Sequence, residues 1–191
     1  MITLILGGAR SGKSDFAEEL ALKIGSMPQE RCYLAAGTAC DTEMEKRIAV
    51  HRQRREGKFY TVEEPYSLAE ALLKIDGKTK VVLIDCLTTW LGNLSYRAFQ
   101  EGQDEAEVYR RFGDSLEAFP EIERLCQVLP RIAADVILIS NELGQGLVPA
   151  DFSSRLFRDR HGRMNQRLAA AADRVILITA GLPMYLKDEK C

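Results

Sequence analysis

Near the start of the chain, Gly7-Gly8-Ala9-Arg10-Ser11-Gly12-Lys13-Ser14 fits the pattern G-x-x-x-x-G-K-[ST]. These residue types suit the binding of phosphate. The glycines let the backbone curl so that its N–H groups face inward, and the helix that follows offers its positive end. Lys13 adds a point charge near the outer phosphates, and the Ser14 hydroxyl can ligate magnesium (Mg2+). A magnesium loop also needs an acidic partner. The apolar run Val81-Val82-Leu83-Ile84 delivers Asp85 to the end of a buried strand, as that role requires. Asp is also a favoured N-cap, so Asp85 equally fits the start of a helix near Leu87, and both roles can hold at once.

His51 is a second reactive candidate. It lies on a predicted helix from Asp41 to Arg55, with Arg47 four residues before it and Arg54 and Arg55 three and four after it. A neutral imidazole can attack phosphorus and later leave, splitting one transfer into two displacements. Nearby arginines disfavour the imidazolium and neutralise a triphosphate and its departing pyrophosphate. Residue type alone favours a solvated surface histidine. The run Arg52-Gln53-Arg54-Arg55 and the carboxylate of Glu63 read, by themselves, as a solvated charge run and a strand-end surface carboxylate. Ala36-Gly37-Thr38 follows the predicted second strand, at the end where open α/β sheets place ligands, though Gly37 also fits an ordinary turn.

The elements that must position these residues follow from continuous apolar runs. Ile2 to Leu6, Val81 to Ile84, Val136 to Ile139 and Val175 to Ile178 are unbroken rather than alternating, so they predict strands buried on both faces. Cys32 to Ala36 predicts a further strand and Phe59 to Val62 a shorter one. Helical segments fall between them: Ser14 to Ile24, Asp41 to Arg55, Ser67 to Ile75, a polar stretch from about Glu105 to Arg131, and Ser153 to Ala172. Leu94 to Gln103 carries the weakest pattern and reads as a connection. This alternation predicts an α/β fold of the P-loop NTPase type, a mostly parallel sheet with helices on both faces. With 191 residues, one domain spanning positions 1–191 is expected.

Composition removes several function classes. Twenty-six Lys and Arg against 28 Asp and Glu give a net charge of -2, so no overall basic field points to nucleic acid. The cysteines at 32, 40, 86, 126 and 191 form no C-x-x-C pair, and with only His51 and His161 to join them no zinc spacing arises; reduced thiols are expected. The N-terminal apolar run is too short for a signal peptide, no stretch approaches a membrane span, and a cytoplasmic location is expected. A regulatory GTPase would carry N-K-x-D, where this chain has Asn141-Glu142-Leu143-Gly144 after a strand. The D-x-x-G of Asp159-Arg160-His161-Gly162 falls in a basic helical segment.

Seven blocks in order resemble the adenosylcobinamide kinase/adenosylcobinamide-phosphate guanylyltransferase family. They are the glycine-rich octet, Tyr33 to Thr38, Asp41 to Glu45, Arg47 to Arg52, Thr61 to Pro65, Asn141 to Pro149, and Gly162-Arg163-Met164-Asn165-Gln166-Arg167. The resemblance covers nearly the whole chain. It implies phosphorylation of adenosylcobinamide by ATP or GTP, then transfer of GMP from GTP onto that phosphate through a guanylylated histidine, which His51 matches. It further implies that residues 52–55 and Glu63 hold the guanine nucleotide, that Ala36 to Thr38 touch it, and that the enzyme is a homotrimer. Glu56 stands where the family usually has proline, and Phe59 where tryptophan is common, which puts the shape of that loop in question. Two other readings are a P-loop kinase that lacks guanylyl transfer and a nucleotide-binding module that regulates a partner.

Overall fold

The computed structural model describes residues 1–37, 56–100, 109 and 113–188. The predicted helix from Asp41 to Arg55 lies outside them, as does part of the polar stretch that begins near Glu105. The described elements, in chain order, are β1 (Ile2–Gly7), α1 (Lys13–Ile24), β2 (Arg31–Ala35), β3 (Tyr60–Glu63), α2 (Leu68–Ile75), β4 (Val81–Asp85), α3 (Leu87–Gln100), α4 (Pro120–Val128), β5 (Asp135–Asn141), α5 (Phe152–Ala171), β6 (Arg174–Thr179) and β7 (Leu182–Asp188).

The strands form one sheet in the order β3-β2-β4-β5-β1-β6-β7. All neighbours pair in parallel except β6 and β7. Alternation along the strands sorts the core into two layers. Leu4, Leu6, Leu34, Val82, Ile84, Val136 and Leu138 face α2, α3, α4 and α5, whereas Ile5, Tyr33, Leu83, Ile137 and Ile139 face Ala17 and Ala21 of α1. Every residue of β1 is buried, which is why its sequence shows no alternation.

Two expectations need correction. The weakly patterned segment from Leu94 is no connection as far as Gln100, because α3 runs through it. Leu87, Trp90, Leu91 and Leu94 recur at helical spacing and are all buried, so they fix α3 on the sheet although the residues between them are polar. The antiparallel strand β7 was not anticipated. It returns from β6 through Ala180 and Gly181, whose φ angles of 51° and 78° form the doubly left-handed two-residue turn of tight hairpins. Alanine seldom takes that conformation, and Pro183 further disguises the strand.

Trp90 is fully buried and its indole N–H donates to the Tyr66 carbonyl at 2.8 Å. Trp90→Ala should therefore lose about 3–5 kcal/mol of stability, through a cavity and an unsatisfied carbonyl. Chemical denaturation would measure it, and a loss under 1 kcal/mol would contradict the packing described.

Candidate active site at the carboxyl ends of the strands

The glycine-rich octet lies where β1 hands over to α1. A Cβ on Gly7 would stand 2.5 Å from Ser11 Oγ and 2.7 Å from the Ile178 carbonyl, so the strand end closes tightly on its own loop. Gly12 has φ of 91°, and a Cβ there would approach Gly181 Cα at 3.3 Å. Both positions need glycine for reasons of space and conformation. Neighbouring strands brace the loop: Glu142 N–H donates to the Gly7 carbonyl at 3.0 Å, and Gly181 N–H to the Ser11 carbonyl at 2.9 Å. Gly8, Ala9 and Arg10 are exposed, and Ser11 to Ser14 are half-buried. Lys13 folds back over the loop and donates to the Gly8 carbonyl at 3.1 Å. Ser11 Oγ is buried and has no hydrogen-bond partner among the described residues.

Asp85 ends β4 on the face occupied by α1. Tyr33 Oη donates to its Oδ2 at 2.6 Å, and Phe59 packs edge-on against the Tyr33 ring with centroids 6.0 Å apart. The residue that departs from the family's usual tryptophan thus still supports the tyrosine that orients Asp85. Burial pushes the thiol of adjacent Cys86 up and the Asp85 charge adds to the rise, while the Lys13 ammonium opposes it. Lys13 and the end of β4 are therefore within electrostatic reach of each other. Two strand spacings, roughly 10 Å, separate the β1 and β4 ends, a gap that a phosphate chain with a shared cation can span. Ser14 and Asp85 would supply hard oxygen donors of the kind magnesium takes. Among the described residues no group of three or more His, Cys, Asp or Glu forms a metal cage, and a magnesium ion shared with a nucleotide needs none.

Ala36 and Gly37 continue from β2. Ala36 N–H donates to the Asp85 carbonyl at 3.2 Å, Asn93 Nδ2 to the Ala36 carbonyl at 2.7 Å, and Gly37 faces Thr89. Exposed Glu63 ends the edge strand β3, four spacings or roughly 19 Å from β1. The sheet thus brings together the glycine-rich loop and Asp85, and sets Glu63 at the far end of the same crest with Ala36 and Gly37 between. Thr38, His51, Arg52, Gln53, Arg54 and Arg55 lie outside the described residues.

The sequence reading missed a buried polar network beside this crest. His161 of α5, 1% exposed, places Nε2 2.9 Å from Thr88 Oγ1 and 3.2 Å from Ser140 Oγ. Ser140 Oγ donates to Asn165 Oδ1 at 2.7 Å, Asn165 Nδ2 to the Asn141 carbonyl at 3.0 Å, and Asn141 N–H to Thr88 Oγ1 at 3.0 Å. With Thr88 donating to Nε2, these partners assign a neutral imidazole protonated at Nδ1. The available signal was the four-residue spacing of His161 and Asn165, which puts two polar side chains on the helix face shared with Met164 and Leu168. A groove of about 360 Å³ beside the network is lined by Glu142, Gly144, Arg158, His161 and Arg163 among others.

A family model described as cobinamide kinase / cobinamide phosphate guanyltransferase matches residues 3–186. The chain belongs to this family. It is similar to the bifunctional adenosylcobalamin biosynthesis protein CobP of Pseudomonas aeruginosa, 40% identical over 189 residues that cover 99% of each chain. The proteins named bifunctional adenosylcobalamin biosynthesis protein CobU from Escherichia coli and Salmonella typhimurium are each 38% identical, covering 98% of this chain and 100% of their own length. The cobinamide kinase / guanyltransferase family resemblance read from seven short blocks therefore extends through the intervening segments. The expected α/β architecture is likewise the one observed.

Burial lowers the pKa of His161 from 6.5 to about 4. The unfolded chain, with the ordinary value, binds this proton first as pH falls. Stability contributed by neutral burial is therefore fully present above pH 6.5 and declines between pH 6.5 and 4, by up to about 1.4 kcal/mol per pH unit. Denaturant midpoints across that range should fall in the native protein and fall less in His161→Gln. An identical pH slope in the variant would mean that other groups set it.

Proposed function

We propose that this chain, acting as one nucleotide-binding domain, phosphorylates adenosylcobinamide with ATP or GTP and then guanylylates the product. The observation that carries this reading is family membership along the chain, joined to a glycine-rich loop whose Lys13 charge is felt by Cys86, the residue that follows Asp85. In the first step the alcohol oxygen of the substrate attacks the γ-phosphorus. A new P–O bond forms, the β–γ bridge bond breaks, the hydroxyl proton is released and a nucleoside diphosphate departs. Residues 7–14 cradle the phosphates, and Lys13 neutralises charge that gathers on the bridge oxygen. Magnesium held by Ser14 and Asp85 supplies further neutralisation of the phosphate oxygens when bound.

In the second step a ring nitrogen of His51 attacks the α-phosphorus of GTP and pyrophosphate leaves. The phosphate of adenosylcobinamide phosphate then attacks the same phosphorus and frees the histidine. Arg52, Gln53, Arg54 and Arg55 neutralise the polyphosphate, while Ala36, Gly37 and Thr38 contact the nucleotide and Glu63 reads the guanine edge. The roughly 19 Å between the β3 and β1 ends supports a guanine position distinct from the γ-phosphate position over the glycine-rich loop. The low net charge supports small-molecule substrates rather than nucleic acid. Among the described residues no helix is long and apolar enough to cross a membrane, and a cytoplasmic enzyme fits that. Exposed Leu182, Met184, Tyr185 and Leu186 on β7 support a subunit contact of the kind a homotrimer needs.

Incubation with magnesium and α-phosphate-labelled GTP, followed by denaturation and peptide mapping, should place an acid-labile GMP adduct on His51. GTP bound without an adduct would favour a kinase that lacks the second reaction. His51→Ala should spare phosphorylation and abolish GMP transfer. Lys13→Ala should lower phosphoryl transfer by about 10²-fold or more, measured as phosphorylated cobinamide formed; near-normal turnover would remove the loop from the reaction.

A further inference from the structure

The polar network holds both backbone polar groups of Asn141. Strand β5 outruns β4: the last register pair between them is Ile84 with Leu138, so β5 continues through Asn141 with no strand on that side. Backbone groups left bare by such an overhang need partners. Thr88 Oγ1 accepts the Asn141 N–H and Asn165 Nδ2 donates to its carbonyl, both at 3.0 Å, from helices α3 and α5 respectively. On its other side β5 pairs with β1, where Asn141 is the register partner of Gly7. Asn141 is thus fixed from three elements at one point.

Its side chain is directed by the same geometry. Ser140 points to α5, where it meets His161 and Asn165, so the next residue projects to the opposite face. Ile137 and Ile139 occupy that face and pack toward α1. Asn141 therefore presents its amide on the face where α1 and Asp85 lie. It stands one strand spacing, roughly 5 Å, from the β1 end, and two register positions beyond the β4 end, roughly 8 Å from Asp85. Asn141 is half-buried, and its side-chain amide has no hydrogen-bond partner among the described residues.

We propose that the Asn141 amide donates through Nδ2 to a terminal oxygen of the γ-phosphate, and that Thr88 and Asn165 are positioning residues that hold it there. A neutral donor suits this place, because it meets anionic oxygen without competing with Asp85 for the cation. This rests on the nucleotide reading above. The His161 ring, accepting from Thr88, keeps the hydroxyl oriented so that its oxygen faces the Asn141 N–H.

The test compares fluorescent analogues of GTP and GDP, titrated with magnesium onto the native chain, Asn141→Ala, Asn165→Leu and the double variant, with melting temperatures alongside. Asn141→Ala should lose about tenfold or more in affinity for the triphosphate and keep its diphosphate affinity, as expected for one hydrogen bond to a charged group. Asn165→Leu should show the same selective loss, and the double variant should be no worse than Asn141→Ala alone. Equal losses for both nucleotides, or no loss, would overturn the assignment to the γ-phosphate. Losses that multiply in the double variant would reduce Asn165 to a structural residue and overturn its positioning role. Turnover of cobinamide by Asn141→Ala should also fall about 10²-fold. Failure of the native chain to phosphorylate cobinamide would count against the proposed reaction, while the triphosphate-to-diphosphate ratio would still decide the role of Asn141.

Discussion

The constraint on which the site depends is the space around Gly7. A strand that ends there must pass between β5 and β6, receive an N–H from Glu142, and turn back closely enough that any side chain would strike Ser11 and the Ile178 carbonyl. Only a strand buried on both sides can hold its last residue so tightly, because paired neighbours remove the freedom to relax. The consequence runs outward. The loop must begin at once, Gly12 must adopt a left-handed conformation to enter α1, and the helix N-terminus is aimed at the space over the loop.

Much of this was legible in the sequence because burial on both faces leaves a direct mark. Ile2 to Leu6 and Val136 to Ile139 have no polar alternation, and each was read as an inner strand of a parallel sheet, which is where they lie. The glycine-rich octet was legible for a related reason: few residue types tolerate its spacing and backbone angles. The position of Asp85 at the end of β4 followed from the buried run before it.

What stayed hidden has physical causes of the same kind. Strand β7 pairs at an edge, with Leu182, Pro183, Met184, Tyr185 and Leu186 all exposed, so no core imposed a pattern on it. Helix α3 carries its buried apolar stripe, Leu87, Trp90, Leu91 and Leu94, toward its N-terminus, and none of the described side chains beyond Leu94 continues it. The network of Thr88, His161, Ser140, Asn165 and Asn141 joins residues up to 77 positions apart, from Thr88 to Asn165, and no local pattern reports such a meeting. The bearing of Tyr33 on Asp85 was equally unreadable, since it exists only once β2 and β4 are paired.

The hairpin turn at Ala180 and Gly181 touches the loop from the far end of the chain: Gly181 donates to Ser11 across 170 residues. Strand β1 is likewise paired on both sides by strands that come much later, β5 and β6. The element made first in the sequence is therefore among the last to be completed in space. During synthesis, the glycine-rich segment has neither its neighbours nor its brace until residues as late as Gly181 have emerged. An unfinished chain thus lacks the braced loop, and the proposed phosphate cradle is completed together with the closing of the sheet.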